Sequence, residues 1–186
     1  MRIIGIDPGS RVAGYGIVEF NGANFKYIAS GVVRSSLEGD FLDRLPFIYK
    51  QFHEVFQQYR PEHLAIESLI HVKNVSSLAK LAQARGAMLA AVGNLSLETF
   101  EYSPNKVKAT VSGFGHADKV MINRSIEVLL GEKIDFATHD ESDALAIAIT
   151  HGINSFGRGT KKNSTQLFSR KRSSLAASIN PDKIRK

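Results

Sequence analysis

The chain contains no cysteine among its 186 residues, which excludes disulfides, thiolate zinc sites and cysteine nucleophiles together. No apolar run approaches the roughly 20 residues that a membrane helix needs, and the first residues lack the layout of a secretory signal peptide. The expected compartment is therefore the cytoplasm. There is no internal repeat. Acids are nearly missing from the C-terminal end, where residues 155–186 hold nine Lys and Arg against the single acid Asp182. That segment carries +8 and the preceding 154 residues carry −2, so the net charge of +6 belongs to the end of the chain.

The remaining composition is that of an ordinary globular protein, 43% hydrophobic and 23% charged. It predicts one domain with a substantial core over residues 1–154, followed by a flexible basic tail over 155–186. Residues 71–126 are basic in their own right, with seven Lys and Arg against Glu98, Glu101 and Asp118. A basic middle beside a group of acids suggests a cation site next to a groove for a polyanion.

Hydrophobic patterning predicts strands over Arg2–Asp7, Val12–Phe20, Phe25–Arg34, His63–Glu67 and Leu97–Tyr102. Asn21-Gly22 marks a hairpin between the second and third. Helical spacing covers Phe41–Tyr59, Ser76–Leu95, a segment opened by Ser103-Pro104, Ala117–Leu130 and Thr138–Ile153. Strands alternating with helices in the second half imply parallel pairing, hence an α/β domain.

Three of these segments place acids where apolar surface meets solvent. Asp7 ends the first strand and Glu67 the fourth, while Asp140 and Asp143 open the last helix one turn apart, on one face. Parallel strands place ligands at their carboxyl ends. Brought together, the four would repel one another by about 1–4 kcal/mol per pair at ~4 Å unless a cation neutralised them. All-oxygen donors select Mg²⁺ or Mn²⁺, and two such ions suit phosphodiester hydrolysis. Thr138 and Glu141 fit a capping box, which assigns Glu141 to structure. His139 and His71 are weaker candidates for the same cation. Taken singly, each acid has a plain alternative, since Asp7-Pro8-Gly9-Ser10 reads equally as a turn.

Several blocks resemble the RuvC-type Holliday-junction resolvases: Gly5-Ile6-Asp7-Pro8-Gly9-Ser10-Arg11 with Gly14-Tyr15-Gly16, Ala65-Ile66-Glu67, Lys80-Leu81-Ala82-Gln83-Ala84-Arg85-Gly86, and Asp140 to His151. They stand in family order and span residues 1 to about 152. The resemblance implies a ribonuclease-H-like fold with a five-stranded mixed sheet flanked by helices. It also implies a homodimer that nicks two symmetric strands of a four-way DNA junction with Mg²⁺, two ions per site, in recombination and repair. The family's catalytic acids fall on Asp7, Glu67, Asp140 and Asp143, and its cleavage-site lysines on Lys108 and Lys119. The RuvA and RuvB branch-migration proteins are the implied partners. Ile70 stands where the family commonly has an aromatic wedge, and Ile70, Lys73, Lys80, Arg85 and Lys106 are the further expected DNA contacts.

Dimerisation has a sequence counterpart on the second helix, where Ala79, Ala82, Gly86, Ala90 and Gly93 form a small-residue stripe. Two other classes of protein fit parts of the pattern. A non-catalytic binder of branched DNA would use the basic segments, but the acids would weaken its grip on phosphate. An actin-like ATPase also opens with a strand ending in Asp-x-Gly-Ser, yet it needs two lobes around its nucleotide.

Overall fold

The computed structural model describes residues 1–35, 39–69 and 74–156. The expected contacts Ile70 and Lys73, together with His71 and the basic residues beyond Phe156, lie outside the described residues. Strands β1 (Arg2–Asp7), β2 (Val12–Phe20) and β3 (Phe25–Arg34) form an antiparallel meander. Two strands then add in parallel beside β1: β4 (His63–Glu67), reached through helix α1 (Phe41–Tyr59), and β5 (Glu98–Tyr102), reached through α2 (Val75–Ala90). The order is β3-β2-β1-β4-β5, a five-stranded mixed sheet as expected. Three helices follow: α3 (Pro104–Ser112), α4 (Lys119–Leu130) and α5 (His139–Phe156). Among the described residues, no helix is long and apolar enough to cross a membrane.

Two cores sandwich the sheet, and the period-two alternation of the strands sorts residues between them. Ile4 and Ile6 of β1 and Leu64 and Ile66 of β4 pack with Phe52, Phe56 and Met88 beneath α1 and α2. Ile3 and Ala65 face the other way, onto α3, α4 and α5. Gly5 and Asp7 therefore share the α5 side with Ile3, and Glu67 shares it with Ala65. Helix α5 is apolar almost all round from Ala144 to Ile149, and these residues are buried.

Three glycines let α5 lie this deep. A Cβ on Gly14 would come 2.0 Å from the Asp140 carbonyl oxygen, one on Gly5 2.1 Å from that of Ala144, and one on Gly16 2.6 Å from Leu145 Cγ. Any side chain there would lift the helix off the sheet.

Element boundaries differ from expectation in a few places. α2 stops at Ala90, five residues early, and the chain turns through Gly93 at φ 59°. α4 starts at Lys119, because the Asp118 carboxylate accepts from the Met121 amide at 2.8 Å and caps the helix there. Ala117 is buried in the core instead. The capping box of Thr138 and Glu141 does not form. Thr138 Oγ1 is buried without a hydrogen-bond partner, and the buried Glu141 carboxylate accepts from Ser30 Oγ on β3 at 3.3 Å. α5 continues to Phe156, past the residue where the tail was expected to begin.

Candidate active site

The site grows from the register of two strands. Gly5 pairs with Ala65 and Ile6 with Ile66, so Asp7 and Glu67 end adjacent parallel strands side by side. Across β1 on its other edge, Asp7 pairs with Gly14, the glycine against which the Asp140 backbone rests. The close packing of α5 thus carries Asp140, and Asp143 one turn later, onto the edge where Asp7 and Glu67 emerge.

Electrostatics report the same convergence. The Asp7 carboxyl is pushed up to about 7, first by burial and then by the charges of Glu67, Asp143 and Asp140, with Lys119 opposing. Glu67 is raised by burial and by Asp143, while Lys119 and Lys108 pull it down. These are the signs expected of carboxylates crowded together with too little positive charge. Lys119 Nζ donates to Asp143 Oδ2. Its side chain is 49% exposed and that of Asp143 36%, and pairs so exposed stabilise a fold by at most ~1 kcal/mol. The pair matters more for where it holds an ammonium than for stability. Lys108 projects from α3 and is exposed.

The donor set suits a hard divalent cation, since its members are carboxylates whose mutual repulsion such an ion would relieve. Among the described residues, no three acidic or histidine side chains are already drawn together tightly enough to hold one. Lys119, paired with Asp143, stands at the edge of the group. His139 is exposed at the first turn of α5, and nothing in its surroundings marks it as a ligand.

The expected DNA contacts are scattered. Lys106 is exposed on α3 beside Lys108. Lys80 lies on α2 with its ammonium 5.7 Å from the centroid of the Phe41 ring. Arg85 does not project freely to solvent: it forms an ion pair with Glu101, whose neighbours Phe100 and Tyr102 face the α5 core, so alternation puts this pair on the α2 side. Phosphate binding by Arg85 would share its guanidinium with Glu101.

Two features of the site escaped the sequence reading. One is the glycine floor under α5, signalled by glycines at alternate positions of a strand. The other lies beside Glu67, whose register partner is Tyr102. Tyr102 Oη lies 2.8 Å from His151 Nδ1, and His151 Nε2 lies 2.7 Å from His63 Nδ1. The Ser68 amide donates to the Tyr102 carbonyl at 2.9 Å, fixing the backbone just past Glu67. Nothing in the sequence marked His63, Tyr102 and His151 as one group, because they come from three elements.

Comparison with known proteins agrees with the geometry. The family model described as crossover junction endodeoxyribonuclease RuvC matches residues 3–151. The protein of that name from Bartonella henselae is 39% identical over 157 residues, covering 84% of this chain and 92% of its own length. A solved structure of Thermus thermophilus RuvC superimposes with a TM-score of 0.75 at 30% identity, over 84% of this chain and 97% of that one. The same protein in complex with a Holliday junction substrate gives a TM-score of 0.75 at 28% identity, over 83% and 95%. Matching order of motifs, mixed ribonuclease-H-like sheet and carboxylate edge have one consequence: the chain belongs to the RuvC family of crossover junction endodeoxyribonucleases.

Proposed function

We propose that this chain resolves four-way DNA junctions by paired symmetric nicks, with Asp7, Glu67, Asp140 and Asp143 holding Mg²⁺, replaceable by Mn²⁺, at two positions per site. The observation that carries the reading is the register that sets Asp7 and Glu67 side by side at the ends of paired parallel strands, with the Asp140 backbone resting on Gly14, the partner of Asp7. A fold that held those groups for stability alone would have dispersed them. When bound, the ions supply neutralisation of the scissile phosphate and activation of the attacking water.

The chain's own residues supply the rest. Asp7 and Glu67 are fixed by strand pairing and Asp140 and Asp143 by the packing of α5, so little reorganisation is required as charge develops. Lys119, held by Asp143, places an ammonium at the edge where a phosphate would sit, and Lys108 adds a second from α3. Lys106 extends that cationic border along the DNA backbone, where contacts position the duplex without reading sequence. Lys80 and Lys73 are assigned to more distant phosphates, and Ile70 to the crossover. The basic residues over 157–186, outside the described residues, are assigned to nonspecific DNA affinity.

Two sites are needed for two nicks. In α2, Ala79, Ala82, Gly86 and Ala90 are all exposed, and a Cβ on Gly86 would meet nothing within 4 Å. We assign this smooth face to a two-fold partner, which would set two acidic edges on a two-fold junction. RuvA and RuvB are the proposed branch-migration partners, and the cytoplasm the proposed compartment.

The test is a synthetic four-way junction incubated with and without Mg²⁺, both nicks being mapped. Wild type is expected to cut symmetrically only with the ion, and Asp7→Asn to bind the junction without cutting. Robust Mg²⁺-dependent cleavage by Asp7→Asn would remove Asp7 from the mechanism. Tight junction binding by wild type, with no cleavage in Mg²⁺ or Mn²⁺, would favour a non-catalytic binder.

A further inference from the structure

The segment between α3 and α4 contains an aromatic ring that the site described above does not use. Phe114 is 66% exposed, an uncommon state for a side chain that dominates cores when it can be buried. Its backbone is held in place. Gly113, at φ 82°, ends α3 and turns the chain. Ser112 Oγ accepts from the Phe114 amide at 3.2 Å, and the Phe114 carbonyl accepts from the Ala117 amide at 3.2 Å. Ala117 is buried in the α5-side core. The loop is thus anchored one turn from apolar packing, and still its ring stands in solvent.

The segments that flank the ring along the chain are cationic. Lys106 and Lys108 lie on α3, and Lys119, five residues after Phe114, touches Asp143; the nearby acid Asp118 is committed to capping α4. Five residues reach at most about 18 Å when extended, and the turn at Ala117 shortens that. The Cα atoms of Phe114 and Lys119 are therefore at most about 18 Å apart, so a strand bound at Lys119 can also pass the ring. An exposed aromatic interleaved with lysines beside a phosphate site is the arrangement that stacks on bases.

We infer that Phe114 stacks on a nucleobase exposed at the junction, on the strand whose phosphate Lys119 borders. The inference rests on the junction-nuclease reading and adds to it the contact that positions the strand. Base stacking at one aromatic changes affinity by roughly tenfold, so the ring positions substrate and takes no part in the chemistry.

The chain has no tryptophan, so Phe114→Trp introduces one fluorophore at the proposed contact. With a synthetic four-way junction in Mg²⁺-free buffer, its emission is expected to be quenched at saturation, and a linear duplex of the same composition should quench it less. Phe114→Ala is expected to weaken junction binding about tenfold with an unchanged melting temperature, Phe114→Trp to restore it, and Val128→Ala, which removes an equally exposed apolar side chain near the other end of α4, to bind normally. Unchanged emission at saturating junction, or wild-type affinity in Phe114→Ala, overturns the inference and leaves the ring to a protein partner. Wild type that binds but never cleaves would instead overturn the nuclease reading, and the quenching result would still stand or fall by itself.

Discussion

The two ends of the central strands treat charge in opposite ways. At the amino end, Arg2 Nη2 donates to Glu19 Oε1 at 2.6 Å, and a second Arg2 nitrogen donates to the Tyr59 carbonyl. The Arg2 hydrogen bond is the main cause holding Glu19 below the usual carboxylate range. At the carboxyl end, one strand length away, Asp7 faces three acids and is raised to about 7. The same sheet therefore contains an end where charges are matched and an end where they are left in excess. Matching costs little to arrange, as the first end demonstrates. The excess at the second is the charge that we propose a bound cation neutralises.

Substitutions at each end sharpen that contrast. The largest effect on stability is expected from Gly14→Ala, whose new methyl would meet the Asp140 carbonyl at 2.0 Å. Relieving the clash must move α5, which we expect to cost about 1–3 kcal/mol of stability and to spread the acids enough to lower nicking at least tenfold. Calorimetry and a junction-cleavage assay read the two losses together. Lys119→Ala should separate them. Nicking is expected to fall by about 10²–10³-fold, typical for removal of one donor that stabilises developing charge. Stability should change by less than ~1 kcal/mol, because the Lys119–Asp143 pair is largely exposed. The smallest effect belongs to the matched end. Arg2→Ala is expected to lower stability by up to ~1 kcal/mol and to leave nicking unchanged. A cleavage defect in that variant would blur the distinction between the two ends.

Titration sharpens the comparison further. The ordinary value for an aspartate is 3.8 and that of folded Asp7 about 7. Between these, the folded chain keeps a proton that the unfolded chain has released, so metal-free stability should fall as pH rises through this window. Glu19 has the opposite sign, its folded value being depressed, and it contributes stability that is lost only in acid. A thermal-denaturation series from pH 4 to 8, with and without Mg²⁺, reads the combined contribution of Asp7 and Glu67 as the part that the ion abolishes, and the same series on Asp7→Asn separates the two.

Much of this was legible in the sequence because it is local. Strand ends at Asp7 and Glu67 follow from short apolar runs, the first of them β-branched and stopped by Pro8-Gly9, and the one-turn spacing of Asp140 and Asp143 follows from the helix period. What stayed hidden depends on partners distant in the chain. Arg85 adds to a basic segment by count, but sheet alternation sets it against Glu101 on the α2 side. Glu141 fits a capping box by spacing, yet the helix start is pressed so close to the sheet that its carboxylate meets Ser30 on β3. The glycines at 5, 14 and 16 read as weak points of two strands until α5 is laid over them. Phe114 lies between two glycines where the helical pattern breaks, and only the structure reveals its exposure.

The central claim is that Asp7 is held in excess negative charge for cation-dependent cleavage, at a cost in stability. It is tested most directly by comparing the melting temperatures of wild type and Asp7→Asn, metal-free, at pH 8 and pH 5, with junction nicking assayed alongside. The account predicts that Asp7→Asn melts higher than wild type at pH 8, that the difference shrinks at pH 5, and that nicking is lost. A variant that melts lower at pH 8, or that still nicks with Mg²⁺, would contradict it.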